Sequence, residues 1–212
     1  MTESSESPFP VDIVAVLLED PDRVRRYLRR YFSPDDEVGY SGRFFEQFVE
    51  RSEPFVFTPW DLVAVSSLSV DIPPRAAAAI LLPGPARDRL TELLHVVPDQ
   101  SAELTAVAPS AIDDRSPLAE LYRLVRDLEG LGRTKTSKLL AAKRPRLVPI
   151  RDSVVERVLH AGDRWWFPMR HLAQDPSLRE LIDDASVDTV PANVSYLRRL
   201  DVVLWSYGSE DT

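Results

Sequence analysis

Residues 118–159 read LAELYRLVRDLEGLGRTKTSKLLAAKRPRLVPIRDSVVERVL, and this stretch decides the fold. It opens with an apolar side chain every three or four residues: Leu118, Leu121, Leu124, Val125 and Leu128. This spacing predicts an amphipathic helix. Glu129-Gly130-Leu131-Gly132 follows, and its two glycines favour a tight turn because glycine accepts positive φ. We expect a second helix from residue 133 or 134 to about residue 143.

This pattern of helix, glycine turn and helix resembles the helix-hairpin-helix motif. The N–H groups that begin the second helix lack partners within the helix, and the helix dipole favours an anion there. A DNA phosphate suits such a position without contact to a base, so we predict binding of the DNA backbone without sequence specificity. The predicted contacts are Gly130, Gly132, Arg133, Thr134, Lys135 and Lys138.

The charge distribution supports this interpretation. Seven basic residues and no acidic residue lie between Gly130 and Arg151, whereas the whole chain has 26 basic and 34 acidic residues and a net charge of −8. A basic segment in an acidic protein is compatible with local phosphate contact. The alternative is that acids from elsewhere in the fold pair with these residues, and the sequence leaves it open.

The resemblance continues beyond the second helix. In the helix-hairpin-helix DNA glycosylases an apolar-Pro-x-Asp segment follows, and residues 147–155 (LVPIRDSVV) match it. The resemblance implies that Asp152 is a catalytic aspartate, which stabilises positive charge on the sugar as the base leaves or activates a nucleophile. Bifunctional members carry a lysine where Thr134 stands here, so no lyase activity is implied. The alternative role for Asp152 is a helix N-cap, since a helical segment follows it.

The rest of the chain predicts an all-α, multi-helical protein of about ten short helices. A short polar residue precedes proline, as is typical of helix N-termini, at Asp20-Pro21, Ser33-Pro34, Thr58-Pro59, Ser116-Pro117 and Asp175-Pro176. Only Phe55-Val56-Phe57 has the pattern of a short strand. The resemblance to the glycosylases implies their two-lobed architecture.

Turn-forming residues at 97–115 predict a boundary between two helical halves. We expect tails at 1–8 and 209–212, an N-terminal half at 9–100, and a C-terminal half at 116–208 with the helix-hairpin-helix motif at 118–143. Residues 165–169 (WWFPM) predict either a surface on which a base stacks or core packing between helices.

Four other segments resemble a family described only as a domain of unknown function: 40–46 (YSGRFFE), 61–65 (DLVAV), 138–149 (KLLAAKRPRLVP) and 197–205 (LRRLDVVLW). This resemblance implies no activity. Within the first segment, Tyr40, Arg43 and Glu46 are candidates to line a cleft. The alternative is an i,i+3 ion pair between Arg43 and Glu46 on a helix surface.

Composition excludes several kinds of site. The chain has no cysteine, which excludes disulfides and thiolate-bound zinc, and its three histidines are too scattered to predict a metal site. Seven glycines and no phosphate-loop motif predict no cofactor. The polar N-terminus and the short apolar run at 76–82 predict neither an export signal nor a membrane span, so the cytoplasm is expected.

Three functions follow from these patterns. The first is a module that binds the DNA backbone without catalysis. The second is a monofunctional DNA N-glycosylase that uses Asp152. The third is a non-catalytic helical scaffold for a protein partner. The sequence does not decide whether the chain is an enzyme.

Overall fold

The computed structural model describes residues 12–162 and 165–210. Within them the chain forms twelve α-helices, two 3-10 turns at Ser41–Phe44 and Pro109–Ala111, and no strand, which confirms the all-α prediction. The helices are α1 (Ile13–Glu19), α2 (Pro21–Tyr31), α3 (Phe45–Val49), α4 (Pro59–Ser67), α5 (Pro74–Leu81), α6 (Pro85–Val96), α7 (Pro117–Arg126), α8 (Arg133–Lys143), α9 (Ser153–Leu159), α10 (Trp166–Gln174), α11 (Pro176–Ser186) and α12 (Tyr196–Glu210).

Two local predictions differ from this structure. Residues 55–57 form a turn between α3 and α4 and not a strand. Ser209 and Glu210, expected in a tail, belong to α12, while the predicted tails at 1–8 and 211–212 lie outside the described residues.

The polar residue and proline pairs begin four helices: α2, α4, α7 and α11. Asp20, Ser116 and Asp175 each accept a hydrogen bond from a backbone N–H of the first turn. The fifth pair, at Ser33, begins no helix. Asp35 instead accepts the N–H of Glu37 through its side chain at 2.9 Å, and this local bond stabilises a turn in place of a helix.

Helices from the two ends of the chain pack together. α2 packs against α11 and α12, and α12 also packs against α9. The middle helices form a second group, in which α8 packs against α4 and α7, and α6 packs against α5 and α7. One apolar core connects the two groups. The packing of α6 against α7 crosses residues 97–115, and the division of the chain there stays a prediction.

Helix α8 is buried along most of its length, since every residue from 136 to 143 is buried. Its C-terminal end is held by two internal cations. The Lys143 side chain is 0% exposed, and its Nζ lies 2.6 Å from Asp61 Oδ2. Arg144 donates to the backbone carbonyls of Leu94, Pro98 and Pro54 at 2.5, 2.5 and 2.9 Å. These contacts fix α8 so that its N-terminal turn emerges at the surface.

Candidate functional site

The turn between α7 and α8 contains the predicted hairpin. Gly130 has a φ of 78°, and a Cβ there would lie 2.8 Å from Pro73 Cγ, so this position requires glycine. Leu131 is buried and fixes the turn to the core. Gly132 is exposed, and a Cβ there would meet no atom within 4 Å. Helix α8 begins at Arg133 without a side-chain cap, so no capping side chain takes up its first N–H groups.

Five of the six predicted phosphate contacts lie at this turn. Arg133 is exposed, and Thr134 and Lys135 are half-buried. Lys138 lies elsewhere, because one further turn of α8 directs its side chain into the protein. Lys138 is only 4% exposed, and its Nζ donates to the Leu68 carbonyl at 2.9 Å. Of the three predicted basic contacts, Arg133 and Lys135 therefore lie at the turn and Lys138 does not.

The basic segment is mostly internal. Four of its seven basic residues are buried: Lys138, Lys143, Arg144 and Arg151. Arg146 is exposed but forms an ion pair with Glu103 at 3.4 Å. Pairing with acids of the fold, the alternative that the sequence left open, accounts for four of these five residues. The exception is Arg144, which donates to backbone carbonyls. Of the seven, Arg133 and Lys135 are the two that lie at the hairpin turn.

A cavity of about 150 Å³ lies on the inner side of Lys138, and we call it the Asp152 cavity. Its lining includes Tyr31, Tyr40, Ser41, Gly42, Leu68, Lys138, Asp152, Arg198, Asp201 and Trp205. Asp152 Oδ1 accepts the Val154 N–H at 3.0 Å, which confirms that Asp152 is the N-cap of α9. Its Oδ2 lies 3.4 Å from Lys138 Nζ. Capping thus uses one oxygen of Asp152 and leaves the other beside the cavity.

Arg198, on α12, is the centre of a buried charge cluster next to this cavity. Its guanidinium donates to Asp201 Oδ2 at 2.5 Å and to the Tyr31 hydroxyl at 2.6 Å, and it lies 3.4 Å from Glu46 Oε1. Burial raises the pKa of Asp201 to about 6, although Arg198 opposes this shift. Burial also raises the pKa of Glu46. Two carboxyl groups that hold protons more readily than usual therefore share one guanidinium.

The three residues predicted to line one cleft lie at different sites in the structure. Tyr40 lines the Asp152 cavity, and Glu46 belongs to the Arg198 cluster. Arg43 is buried, and it forms an ion pair with Asp36 and donates to the Tyr40 carbonyl at 3.3 Å. The surface pair between Arg43 and Glu46 is wrong, because a 3-10 turn ends between them and each side chain finds a different partner.

Sequence analysis missed the arginines of α2. The Arg30 guanidinium carbon lies 5.6 Å from the centre of the Tyr40 ring, at the edge of the Asp152 cavity. Arg26 precedes Arg30 by four residues, which places both on one side of the helix. The signal was present in residues 21–31 (PDRVRRYLRRY), where paired arginines recur at a spacing of four.

The aromatic segment after α9 divides between core and surface. Trp165 is buried and donates its Nε1–H to the Pro149 carbonyl at 3.3 Å. Trp166 is half-buried, and Phe167 is 59% exposed. Core packing therefore describes Trp165 but not Phe167.

The acidic and histidine side chains do not gather into a metal-binding group of three anywhere in residues 12–162 and 165–210. Over the same residues, no helix is both long enough and apolar enough to cross a membrane.

Comparison with curated proteins and with solved structures gives no match. A family model described as a family of unknown function, DUF6308, matches residues 24–208. This span holds the hairpin, the Asp152 cavity and the Arg198 cluster, and the match confirms the resemblance of the sequence to a domain of unknown function. The chain therefore belongs to the DUF6308 family.

Proposed function

We propose that this chain is a helix-hairpin-helix module that binds the backbone of DNA without sequence specificity. The observation that carries the proposal is the exposed, uncapped N-terminus of α8 at Gly132. A phosphate oxygen approaches the first N–H groups there without steric hindrance, since a Cβ at Gly132 would meet no atom within 4 Å. Such a contact reads no base, so the binding is independent of sequence.

Two basic regions add to this contact. Arg133 and Lys135 flank the hairpin. Arg30 of α2 lies beside Tyr40, which lines the Asp152 cavity, and Arg26 precedes it by about one helical turn. The Arg26 guanidinium pairs with Asp20 at 3.2 Å, but both side chains are about half exposed, so this pair contributes little and exchanges readily for a phosphate. A backbone that contacts both regions crosses the mouth of the cavity.

The small number of exposed cations limits the expected affinity. With about three phosphates neutralised, log Kd changes by about 2.7 per unit of log salt, which weakens binding about 40-fold between about 50 and 200 mM salt. The net charge of −8 lowers affinity further through repulsion of DNA.

Fluorescence anisotropy with a labelled DNA duplex tests the proposal. The variant Thr134→Glu places a carboxylate in the first turn of α8. The carboxylate interacts favourably with the helix dipole there, but it repels a phosphate. Ser177→Glu is the matched control, because Ser177 is exposed and occupies the same position in α11. We expect Thr134→Glu to weaken binding by about tenfold or more, which is about 1.4 kcal/mol. Equal affinity for the two variants, or no binding by the wild type at about 50 mM salt, refutes the proposal.

A second function, monofunctional base excision, is favoured by the position of Asp152. Its carboxylate and Lys138 line a cavity of about 150 Å³, which is about the size that accommodates one aromatic ring. Lys138 lies six residues beyond Gly132, or about 9 Å along α8, so a backbone held at the hairpin passes near the cavity. Asp152 then stabilises positive charge on the sugar as the base departs.

Base release from duplexes with single damaged bases tests this second function. Asp152→Asn keeps the cap, because asparagine caps a helix as well as aspartate does, but it removes the charge. We expect release by the wild type and none by the variant. Because Asp152→Asn also removes the ion-pair partner of the buried Lys138, release is compared at a temperature where thermal melts show both proteins folded. If the wild type binds DNA but releases no base, this second function fails while the first one stands.

A further inference from the structure

A second and larger opening lies on another face of α8. It has a volume of about 410 Å³, within the range of about 300–1,000 Å³ that small-molecule sites occupy. It is bounded by α7, the N-terminal turn of α8, residues 149–151 and the start of α10. Ser137 lines this opening while Lys138 lines the Asp152 cavity, and one residue along a helix turns a side chain by about 100°. We call this opening the arginine cleft.

Four arginines and a single aspartate, Asp114, supply the charged lining of the arginine cleft, although the chain as a whole is acidic. The arginines are Arg123, Arg126, Arg133 and Arg151. Like charges gathered around one opening repel each other, and a bound anion removes that repulsion. The lining therefore selects an anionic ligand.

The arginines of α7 are placed to move toward such a ligand. Arg123 donates to a neutral group, the Asp114 carbonyl, at 2.9 Å. Arg126 pairs with its neighbour Asp127 at 2.8 Å, and both side chains are about half exposed, so this pair is weak. Because Arg123 and Arg126 are three residues apart, their guanidinium groups lie on one side of α7 and both reach one phosphate.

The other walls of the arginine cleft include one buried arginine and two tryptophans. Arg151 is buried and held by Glu156 and by the Gly162 carbonyl. Trp165 is fixed by its hydrogen bond to the Pro149 carbonyl at 3.3 Å, and Trp166 lines the cleft in a half-buried position. Tryptophan rings bind a nucleobase by stacking, whatever its identity.

We propose that the arginine cleft binds a nucleotide, with its phosphate held by Arg123 and Arg126 and its base stacked on Trp166. The volume, the cationic side and the aromatic side together match a phosphate joined to a planar ring. A free nucleotide and the phosphorylated end of a nucleic-acid strand offer the same chemistry. The inference does not depend on phosphate binding at the hairpin, since Arg123, Arg126 and Trp166 lie outside that turn.

Isothermal titration calorimetry with AMP, adenosine and inorganic phosphate tests the inference. We expect AMP to bind at least about tenfold more tightly than either of the other two, because each of them has only one of the two recognised groups. The exposed positions of Arg123 and Arg126 allow the double variant Arg123→Gln/Arg126→Gln to fold normally, and we expect it to bind AMP at least tenfold less tightly. Arg89→Gln, which removes an exposed arginine and its two ion pairs from the neighbouring helix α6, is the control for lost surface contacts, and it should bind AMP as the wild type does.

One further variant and one further ligand comparison test the two halves of the proposed site. Trp166→Leu keeps an apolar side chain but removes the stacking surface, so it should weaken AMP binding and leave phosphate binding unchanged. A single-stranded oligonucleotide with a 5′-phosphate is compared with the same strand ending in a hydroxyl, and a preference for the phosphate identifies a strand end as the natural source. The inference is overturned if AMP binds no better than phosphate, or if the double variant binds AMP as the wild type does. Retention of AMP binding by Thr134→Glu, together with loss of duplex binding, separates this site from the hairpin.

Discussion

Replacement of Lys143 by methionine should destabilise the protein by about 3–5 kcal/mol, because it leaves a buried charge on Asp61 without its partner. The Lys143 and Asp61 side chains are both 0% exposed, and their charged atoms lie 2.6 Å apart. Domains of ordinary stability unfold with a free energy of about 5–15 kcal/mol, so this loss is a large fraction of the total.

The neighbouring contacts place the expected loss near the lower end of that range. Asp61 Oδ2 still accepts hydrogen bonds from the Thr58 N–H at 2.7 Å and from the Ser52 hydroxyl at 2.8 Å. In the converse variant, Asp61→Asn, Lys143 still donates to Ser52 and to the Glu53 carbonyl. Burial lowers the pKa of Lys143, so the unpaired amine loses its proton more readily, which reduces the cost of Asp61→Asn.

Urea denaturation of the two single variants and the double variant Lys143→Met/Asp61→Asn measures the coupling between the two side chains. We expect about 3 kcal/mol for Lys143→Met, which lowers Tm by about 6–12 °C in a chain of this size. We expect the double variant to lose at least about 1 kcal/mol less than the sum of the singles. Arg146→Gln breaks an exposed pair with Glu103 and serves as the control, with a change within about 0.5 kcal/mol. Losses under about 1 kcal/mol in both singles, with additivity in the double, would show that the pair does not hold α8.

Two other variants probe the cluster and the hairpin. Asp201 has its pKa raised by burial from 3.8 to about 6, so the folded state holds a proton that the unfolded state has lost, and stability falls as pH rises through this window. The stability advantage of the wild type over Asp201→Asn should therefore shrink by about 2 kcal/mol between about pH 4 and pH 6, and denaturation curves with no change in this difference would contradict it. Gly130→Ala should destabilise the protein by about 1–3 kcal/mol, since φ is 78° and Pro73 lies 2.8 Å from the new Cβ. Gly132→Ala, which meets no atom within 4 Å, should cost less in the same thermal melts, and equal costs would contradict the assigned turn.

The sequence predicted those features that depend on neighbouring residues. The N-cap of α9 at Asp152, the proline-led starts of four helices and the glycine turn before α8 follow from contacts within a few positions of one another. Where a local bond competed, as at Asp35, the same signature gave a turn instead. Local patterns therefore set the helix ends correctly except where a side chain offered the backbone another partner.

The burial of the basic segment was not predictable in the same way. Lys143 pairs with Asp61, which lies in another helix more than eighty positions earlier, and Arg144 donates to carbonyls at positions 54, 94 and 98. A charge run shows that cations are present but not which distant groups reach them. The position of Arg30 beside Tyr40 could not be predicted for the same reason, because it depends on how the first helices of the chain pack against the last.

Three segments that are far apart in the chain, residues 40–46, 138–149 and 197–205, meet around α8. Residues 40–46 supply Glu46, residues 138–149 supply Lys138, and residues 197–205 supply Arg198 and Asp201. A buried group of charges stabilises a fold less than apolar side chains of the same volume, so stability alone is a poor reason for this arrangement.

Two carboxylate oxygens of the Arg198 cluster accept no hydrogen bond from the described residues. Asp201 Oδ1 and Glu46 Oε2 are buried, and neither accepts a hydrogen bond from any residue in the described part of the chain. An unsatisfied buried oxygen costs free energy, and Asp201 lines the Asp152 cavity, where a ligand with N–H or O–H donors would remove that cost. The Asp201 oxygen thus gives a physical reason to expect that the cavity holds a polar ring and not a purely apolar one. Asp201→Asn, whose side-chain amide can turn a donor toward the cavity, should then change which ring binds there as well as the pH dependence of folding.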